Sequence, residues 1–473
     1  MLPPRGVLPK LAVAIAVLTF VHLTTNLNLL APLSLFSSAP PPSHATTIAN
    51  TCPPDAWAAG NWAYNPRPRV AGYNDTPLAR SEDIFKYNGM RGCAADREFY
   101  WHLAADNANH WARFPAVTEW DWVPGEGCEG VAPLTPEALV KDLVENGSWL
   151  VLGDSVTENH FFSLSCSLFP HVRATPNYTE NPYFDRAWPQ HLYLHPDSPL
   201  VHELAFPDGF SIEHTPLVTF RRIDLLLSRL ELEELHHVRH PETYAADPDF
   251  KLFSEEQHWT HSPAEYMAWF TAPAPMRYAT LIANTAGHWT TTLLAGFRDE
   301  QASADGYGIQ KLVPFFGEAM DRWAKQVQGW MDAERERERL EEVNAKLRGV
   351  GGVGGKVGRS KGGLKRQVLV RAYLPGHEDC HDWRAPWTEW HPFRWNWYNW
   401  AWIGDMNREF ETVLASPAYP DLHYLPIDRP ALLRPDAHGT GDCLHLMSGS
   451  GVMEGWTRYM WHYVRTLGGR ADD

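Results

Sequence analysis

Three apolar runs in the chain stop abruptly on small or polar residues. Trp149-Leu150-Val151-Leu152 runs into Gly153-Asp154-Ser155, MRYATLIA runs into NTAGHW at Asn284, and QVLVRAYL runs into Pro375-Gly376-His377. Each run has the length and apolar density of a buried strand closed by a turn. Helical patterns lie between them. LTPEALVKDLVENG has Thr135 placed as an N-cap, Pro136 at the first helical position and Gly147 at the end. TENHFFSLSCSLF, from Thr157, reads as the helix that follows the first strand. Strands alternating with helices predict an α/β fold with a parallel sheet, and they place function at the carboxyl ends of its strands.

Three regions depart from that rhythm. Residues 52–133 are rich in Trp, Pro, Asn and Gly without regular periodicity, and read as an irregular cap tied by cysteines. The span 331–367 begins as a charged helix that Glu–Arg pairs can lace, and continues into a Gly/Lys/Arg tract that reads as a surface loop. Residues 134–330 and 368–473 then form the α/β domain. At the N-terminus, Arg5 and Lys10 precede the apolar run Leu11 to Leu23, and with His counted neutral no acidic or basic side chain returns until Asp55. That run is short for a membrane span of about 20 residues, but the uncharged TTNLNLLAPLSLF extends it. The small residues Ser37-Ser38-Ala39 are followed by Pro40, which hinders cleavage. The pattern predicts a cytoplasmic tip and signal anchor over 1–30 and a Pro/Ser/Thr-rich stem over 31–51. The basic residues precede the span, so the bulk of the chain is expected in the lumen as a type II membrane protein, with a secreted form as the alternative.

Composition narrows the partners. With 41 Lys and Arg against 57 Asp and Glu, the net charge is −16, which argues against nucleic-acid binding. Most of the 22 Trp and 17 Tyr residues suit a core and loops, although aromatic faces also suit carbohydrate. The sequons at Asn146 and Asn177, and the poorer one at Asn74 before Pro77, fit a lumenal address. Cys52, Cys93, Cys128, Cys166, Cys380 and Cys443 form no CxxC metal pair and read as disulfides, with about 15 connectivities open.

Candidate chemistry starts at Ser155, since a strand ending in a tight turn can present a nucleophilic serine; Gly-Asp-Ser is equally a common turn. A serine nucleophile needs a base, and the base an orienting group. Asp442-Cys443-Leu444-His445 puts a carboxylate three residues before an imidazole, with Asp436 and His438 as an equally polar alternative pair. Asn284, at a strand end, can offer its amide to an oxyanion or can build an Asx turn.

Taken in order, the Gly-Asp-Ser turn, NTAGHW, RAYLPGH and RPDAHGTGDCLH resemble the trichome-birefringence-like glycan O-acetyltransferases and the wider PC-esterase group. The resemblance runs from Cys52 to the C-terminus, outside the charged Gly-rich insertion. It implies an SGNH/GDSL-like three-layer α/β/α fold and a triad of Ser155, Asp442 and His445. Asp154, Asn159, Asn284, Gly287 and His288 become oxyanion or binding candidates, together with the Ser155 N–H. In that frame the cysteines are expected to pair as Cys52–Cys128, Cys93–Cys166 and Cys380–Cys443, the last bracing the loop of Asp442 and His445. The chain departs from the pattern in three places. Ala286 is an extra residue in the Asn-Thr-Gly-His block, Glu158 stands where plant members carry Arg, and Leu446-Met447 replaces a cysteine. A glutamate there would oppose developing negative charge.

The function implied is O-acetyl transfer to hydroxyls of a polysaccharide or a glycoprotein glycan, in the Golgi lumen. The acetyl donor, such as acetyl-CoA or another acetyl ester, is a co-substrate, and no metal or resident cofactor is called for. A glycan acetylesterase with the same triad, or a catalytically silent carbohydrate-binding protein of the cell surface, are the alternatives.

Overall fold

The structure is a computed structural model that describes residues 52–67, 78–176, 189–347, 364–393 and 397–468. The anchor and stem expected over 1–51, the Gly-rich tract, and the sequons at Asn74 and Asn177 lie outside the described residues. Residues 48–473 form one compact unit, so the cap and the α/β region share it. Among the described residues no helix is long and apolar enough to cross a membrane.

The three expected strands are present. They are β3 (Ser148–Gly153), β7 (Tyr278–Ala283) and β8 (Gln367–Arg371), each buried along its whole length. Strands whose two faces are both covered need continuous apolar runs, which is why these three were legible. They belong to a seven-stranded sheet with β4 (Val172–Thr175), β5 (Gln190–Leu194), β6 (Pro216–Arg222) and β9 (Leu422–Leu425), in the order β4-β5-β6-β3-β7-β8-β9. Strands β6, β3, β7, β8 and β9 run parallel, while β4 and β5 add an antiparallel edge. The chain leaves β3 to build the β6 side, then crosses to β7 on the other side. The C-terminal end of β3 is therefore the switch point of the sheet, where crevices open.

Helix α1 (Pro136–Glu145) starts as expected, with Thr135 Oγ1 accepting the Ala138 N–H at 3.2 Å. Such a cap stabilises by about 1 kcal/mol. Helix α2 (Ser155–Ser167) begins at the serine itself, two residues before the expected start. It packs with α1 against β3 and β6, and α7 (Val452–Leu467) packs on α2. A second group, α4 (Pro263–Phe270), α5 (Ile309–Leu347) and α6 (Ile403–Leu414), packs on β7 and β9; α3 (Arg229–Arg239) lies against α5.

The charged helix expected from Met331 is the second half of α5. Its first half fully buries Leu312, Phe316, Met320 and Trp323. The second half is laced by Arg337 with Glu334 and Glu341, and by Arg339 with Glu336.

The cap carries more regular structure than expected. β1 (Asn61–Tyr64) and β2 (Trp120–Val123) pair antiparallel, and short helical turns fill the rest. Trp57 stacks on Tyr459 of α7 with ring centroids 4.8 Å apart, fixing the cap to the last helix. All three expected disulfides form: Cys52–Cys128, Cys93–Cys166 and Cys380–Cys443. Three disulfides fit folding in an oxidising, secretory compartment.

Candidate active site

Helix α2 is buried on every side from Val156 to Cys166, between the sheet, α7 and the cap. Its polar residues must therefore find partners in protein. Thr157 Oγ1 donates to Asn284 Oδ1 at 2.6 Å, His160 Nε2 bonds Thr457 Oγ1 at 2.8 Å, and Ser163 donates to Glu454 at 2.6 Å. These bonds fix α2, and through it Ser155, against the turn after β7 and against α7.

The turn ahead of the helix is equally constrained. Asp154 is fully buried and caps α2, its Oδ1 accepting the Val156 N–H at 3.0 Å. Its Oδ2 accepts the Tyr373 hydroxyl at 2.7 Å. Asp154 thus sets the turn and does not face substrate. Gly153 is required by close approach, since a Cβ there would lie 2.2 Å from Thr157 Oγ1. Gly287 has the same kind of role, because a Cβ would lie 2.2 Å from the Tyr373 hydroxyl and push it off Asp154. In the first turn of α2, Val156 N–H is taken by the Asp154 side chain, and the N–H groups of Thr157 and Glu158 by its carbonyl. The Ser155 N–H remains, at a helix N-terminus that favours negative charge.

The loop before α7 meets Ser155 from the opposite side. His445 Nε2 lies 2.7 Å from Ser155 Oγ, and His445 Nδ1 lies 2.7 Å from Asp442 Oδ2. Asp442 Oδ1 also accepts the N–H groups of Leu444 and His445, at 2.9 and 2.8 Å. Burial works against the charge of Asp442. The hydrogen bond and charge of His445, with the two backbone N–H groups, outweigh it and hold the carboxyl well below the usual carboxylate range. The loop is pinned by Cys380–Cys443 and by His377 N–H donating to the Cys443 carbonyl at 2.8 Å.

The alternative pair falls elsewhere. Asp436 is fully buried on Arg434, at 2.8 Å, and His438 faces His377 at 2.6 Å. Both brace the turn from behind.

The oxyanion candidates divide. Asn159 lies one helical turn from Ser155, but its Nδ2 is occupied by the Leu446 carbonyl at 3.2 Å and by His102 Nδ1 at 2.8 Å. Its amide has no N–H left for substrate. Asn284 is 1 % exposed; its Oδ1 holds Thr157, and its Nδ2 is sealed in without a partner among the described residues. His288 stands 3.3 Å from Arg222 and 3.8 Å from Asp224. Neither Asn284 nor His288 lines the cavity on which Ser155 opens.

That cavity measures about 580 Å³ and is walled by Ser155, Glu158, Asn159, Asp442 and His445 together with cap residues 98–102 and Asp106. A larger cavity, about 760 Å³, lies at the far end of α2 against Trp62, Trp120 and Trp122 and contains none of the triad residues. Glu158, expected to disturb an oxyanion, is paired in the buried interior with Arg97 of the cap and accepts from Gln190 at 2.6 Å. Its charge is offset where it arises. Sequence reasoning missed Arg97, Trp101 and His102, which reach the site from the cap. The available signal was their position shortly after Cys93, whose disulfide to Cys166 anchors this segment to α2.

Asn146, the sequon residue inside the described structure, is exposed at the end of α1. In comparisons with known proteins, no family model and no curated protein matches this chain.

Proposed function

We propose that the protein is a serine-dependent O-acetyltransferase acting on glycan hydroxyls. The observation that carries the reading is the continuous chain Ser155–His445–Asp442, with both links at 2.7 Å, opening onto a solvent-reachable cavity. His445 Nε2 removes the proton from Ser155 Oγ as the oxygen attacks the acetyl carbonyl of a donor ester. The tetrahedral adduct collapses, and the leaving group takes the proton from the imidazolium. A sugar hydroxyl then attacks the acetyl-serine, gives its proton to His445, and Ser155 recovers that proton as the new ester departs. Asp442 keeps the proton on Nδ1 and stabilises the imidazolium.

The placement of the serine, directly after a central parallel strand with the Asp-x-x-His turn just before the last helix, supports an SGNH/GDSL-like arrangement and the resemblance drawn from the motifs. An acetylesterase would use the same residues with water as acceptor. Incubating the full chain with an activated acetyl ester and a panel of neutral oligosaccharides, then analysing the sugars and free acetate, separates the two. Acetyl on sugar in a Ser155-dependent manner supports the transferase; acetate alone selects the esterase.

A further inference from the structure

We infer that His102, from the cap, is a further catalytic residue: its Nε2–H donates to the acyl oxygen that becomes negative when Ser155 attacks. The inference rests on the reading of Ser155 as nucleophile.

The tautomer follows from the hydrogen bonds. Asn159 Nδ2 lies 3.2 Å from the Leu446 carbonyl, which can only accept, so that atom is the amide nitrogen and not the oxygen. The same nitrogen lies 2.8 Å from His102 Nδ1, so Nδ1 accepts. A neutral ring then carries its proton on Nε2. Burial first, and then the neighbouring His445 and Arg97, push the His102 pKa well below its ordinary value, so the ring remains neutral at working pH. A neutral imidazole N–H can polarise a carbonyl without adding a second cation beside His445.

The ring is also held rigidly. It stacks on Phe162 at 4.1 Å, meets Trp101 edge-on at 4.9 Å, and its backbone carbonyl accepts the Ser448 N–H at 2.9 Å. Trp101 in turn packs edge-on against His445 at 5.3 Å. Among the described residues Nε2 bonds no protein atom, and it is not among the sealed unpartnered polar atoms; His102 lines the same cavity as Ser155. Trp101 has its indole Nε1 against Gly441, where a Cβ would lie 2.5 Å away, and the remaining side chains there are poor donors. Glu98, Asp106 and Glu158 accept, the Tyr100 hydroxyl is given to Glu82 at 3.2 Å, and the Asn159 amide is spent on His102 and Leu446. Asn159 is therefore the residue that orients the donor, and His102 the donor itself.

The test is the rate of Ser155 acetylation by 4-nitrophenyl acetate in the full chain, followed in single turnover, for wild type, His102→Phe and His102→Gln. Phenylalanine keeps the stacking and removes the N–H; glutamine restores a donor. Loss of one oxyanion donor lowers the chemical step by about 10²–10³-fold. His102→Phe is expected to lose about that much in kcat with KM unchanged, and His102→Gln to recover part of it. A folded His102→Phe that acetylates at the wild-type rate overturns the inference while leaving the Ser155 reading intact. So does a His102→Gln no faster than a folded but slow His102→Phe. If His102→Phe does not fold, the ¹⁵N imidazole spectrum of wild type decides: Nε2–H must shift when a boronic acid adds to Ser155, and an unmoved signal overturns it. A wild-type chain that is never acetylated removes the Ser155 reading and this inference together.

Discussion

Two polar turns border the centre of the same sheet, and the chain uses them differently. The turn after β7, Asn284 to His288, is turned inward: Asn284 holds Thr157, Gly287 makes room for Tyr373, and His288 sits on the Arg222–Asp224 pair. The turn Asp442 to His445 is turned outward, with His445 on Ser155 and Asp442 39 % exposed at the cavity edge. One turn builds the platform under Ser155, and the other brings His445 and Asp442 to it. Polar residues at a strand end carry both possibilities; which one is realised depends on what the neighbouring helix already needs. Helix α2 is buried all round, so the β7 turn is consumed in satisfying it.

The sharpest way to break that contrast is by substitution on each side. Ser155→Ala and His445→Ala should each reduce acetyl turnover by about 10⁴-fold or more, since triad members act as a unit. Steady-state kinetics with an activated acetyl ester checks this. Asp442→Asn should follow, with a loss of about 10²–10⁴-fold, because it alters the His445 tautomer. An Asp442→Asn chain of full activity would place the orienting group elsewhere. Substitutions in the β7 turn should act first on stability. Asn284→Ala leaves the buried Thr157 hydroxyl without its acceptor and should cost about 1–3 kcal/mol in urea unfolding. Its folded fraction should lose less than about 10-fold in kcat, well short of a full oxyanion donor. A larger loss in kcat would turn Asn284 back toward the substrate. Gly287→Ala should displace Tyr373 from Asp154 and lower kcat and stability together.

The acid stability of the molecule should show the most gradual effect. Burial lowers His377 to about 4 and His160 to about 3, so both stay neutral in the fold. The unfolded chain takes up protons as pH falls below about 6.5, and the fold does not. Their contribution is therefore full above that pH and shrinks by about 1.4 kcal/mol per unit for each ring, until pH reaches the folded value. Asp442, held low in the fold, adds to stability above the ordinary carboxylate pKa and loses that contribution as pH falls further. Urea midpoints from pH 7 to pH 4 should fall steadily, and His377→Asn should flatten the slope between pH 6 and pH 4.

How much of this was legible varies with the kind of signal. Strands β3, β7 and β8 announced themselves, since a strand covered on both faces is apolar along most of its length. The Thr135 cap and the Pro136 start were equally plain. Strand β6 ends in Arg221-Arg222 and β9 has four residues, so neither stood out from its surroundings. The first half of α5 was masked by the more conspicuous charge pattern that follows it. Ser155, Asp442 and His445 were candidates from their short segments, but it was the resemblance carried by the ordered motifs that singled them out over turn residues and over Asp436 and His438. Arg97 and His102 could not: their partners, Glu158 and Asn159, lie 61 and 57 residues away, and no local pattern records a contact at that distance.

The central claim is that Ser155 forms an acyl-enzyme. The most direct measurement is intact-protein mass spectrometry of the full chain after brief exposure to an activated acetyl ester, with Ser155→Ala treated in parallel. The account predicts a gain of one acetyl group in the wild type, located on the Ser155 peptide and absent from the variant. A folded wild-type chain with neither adduct nor ester turnover, or an adduct that persists in Ser155→Ala, would contradict it.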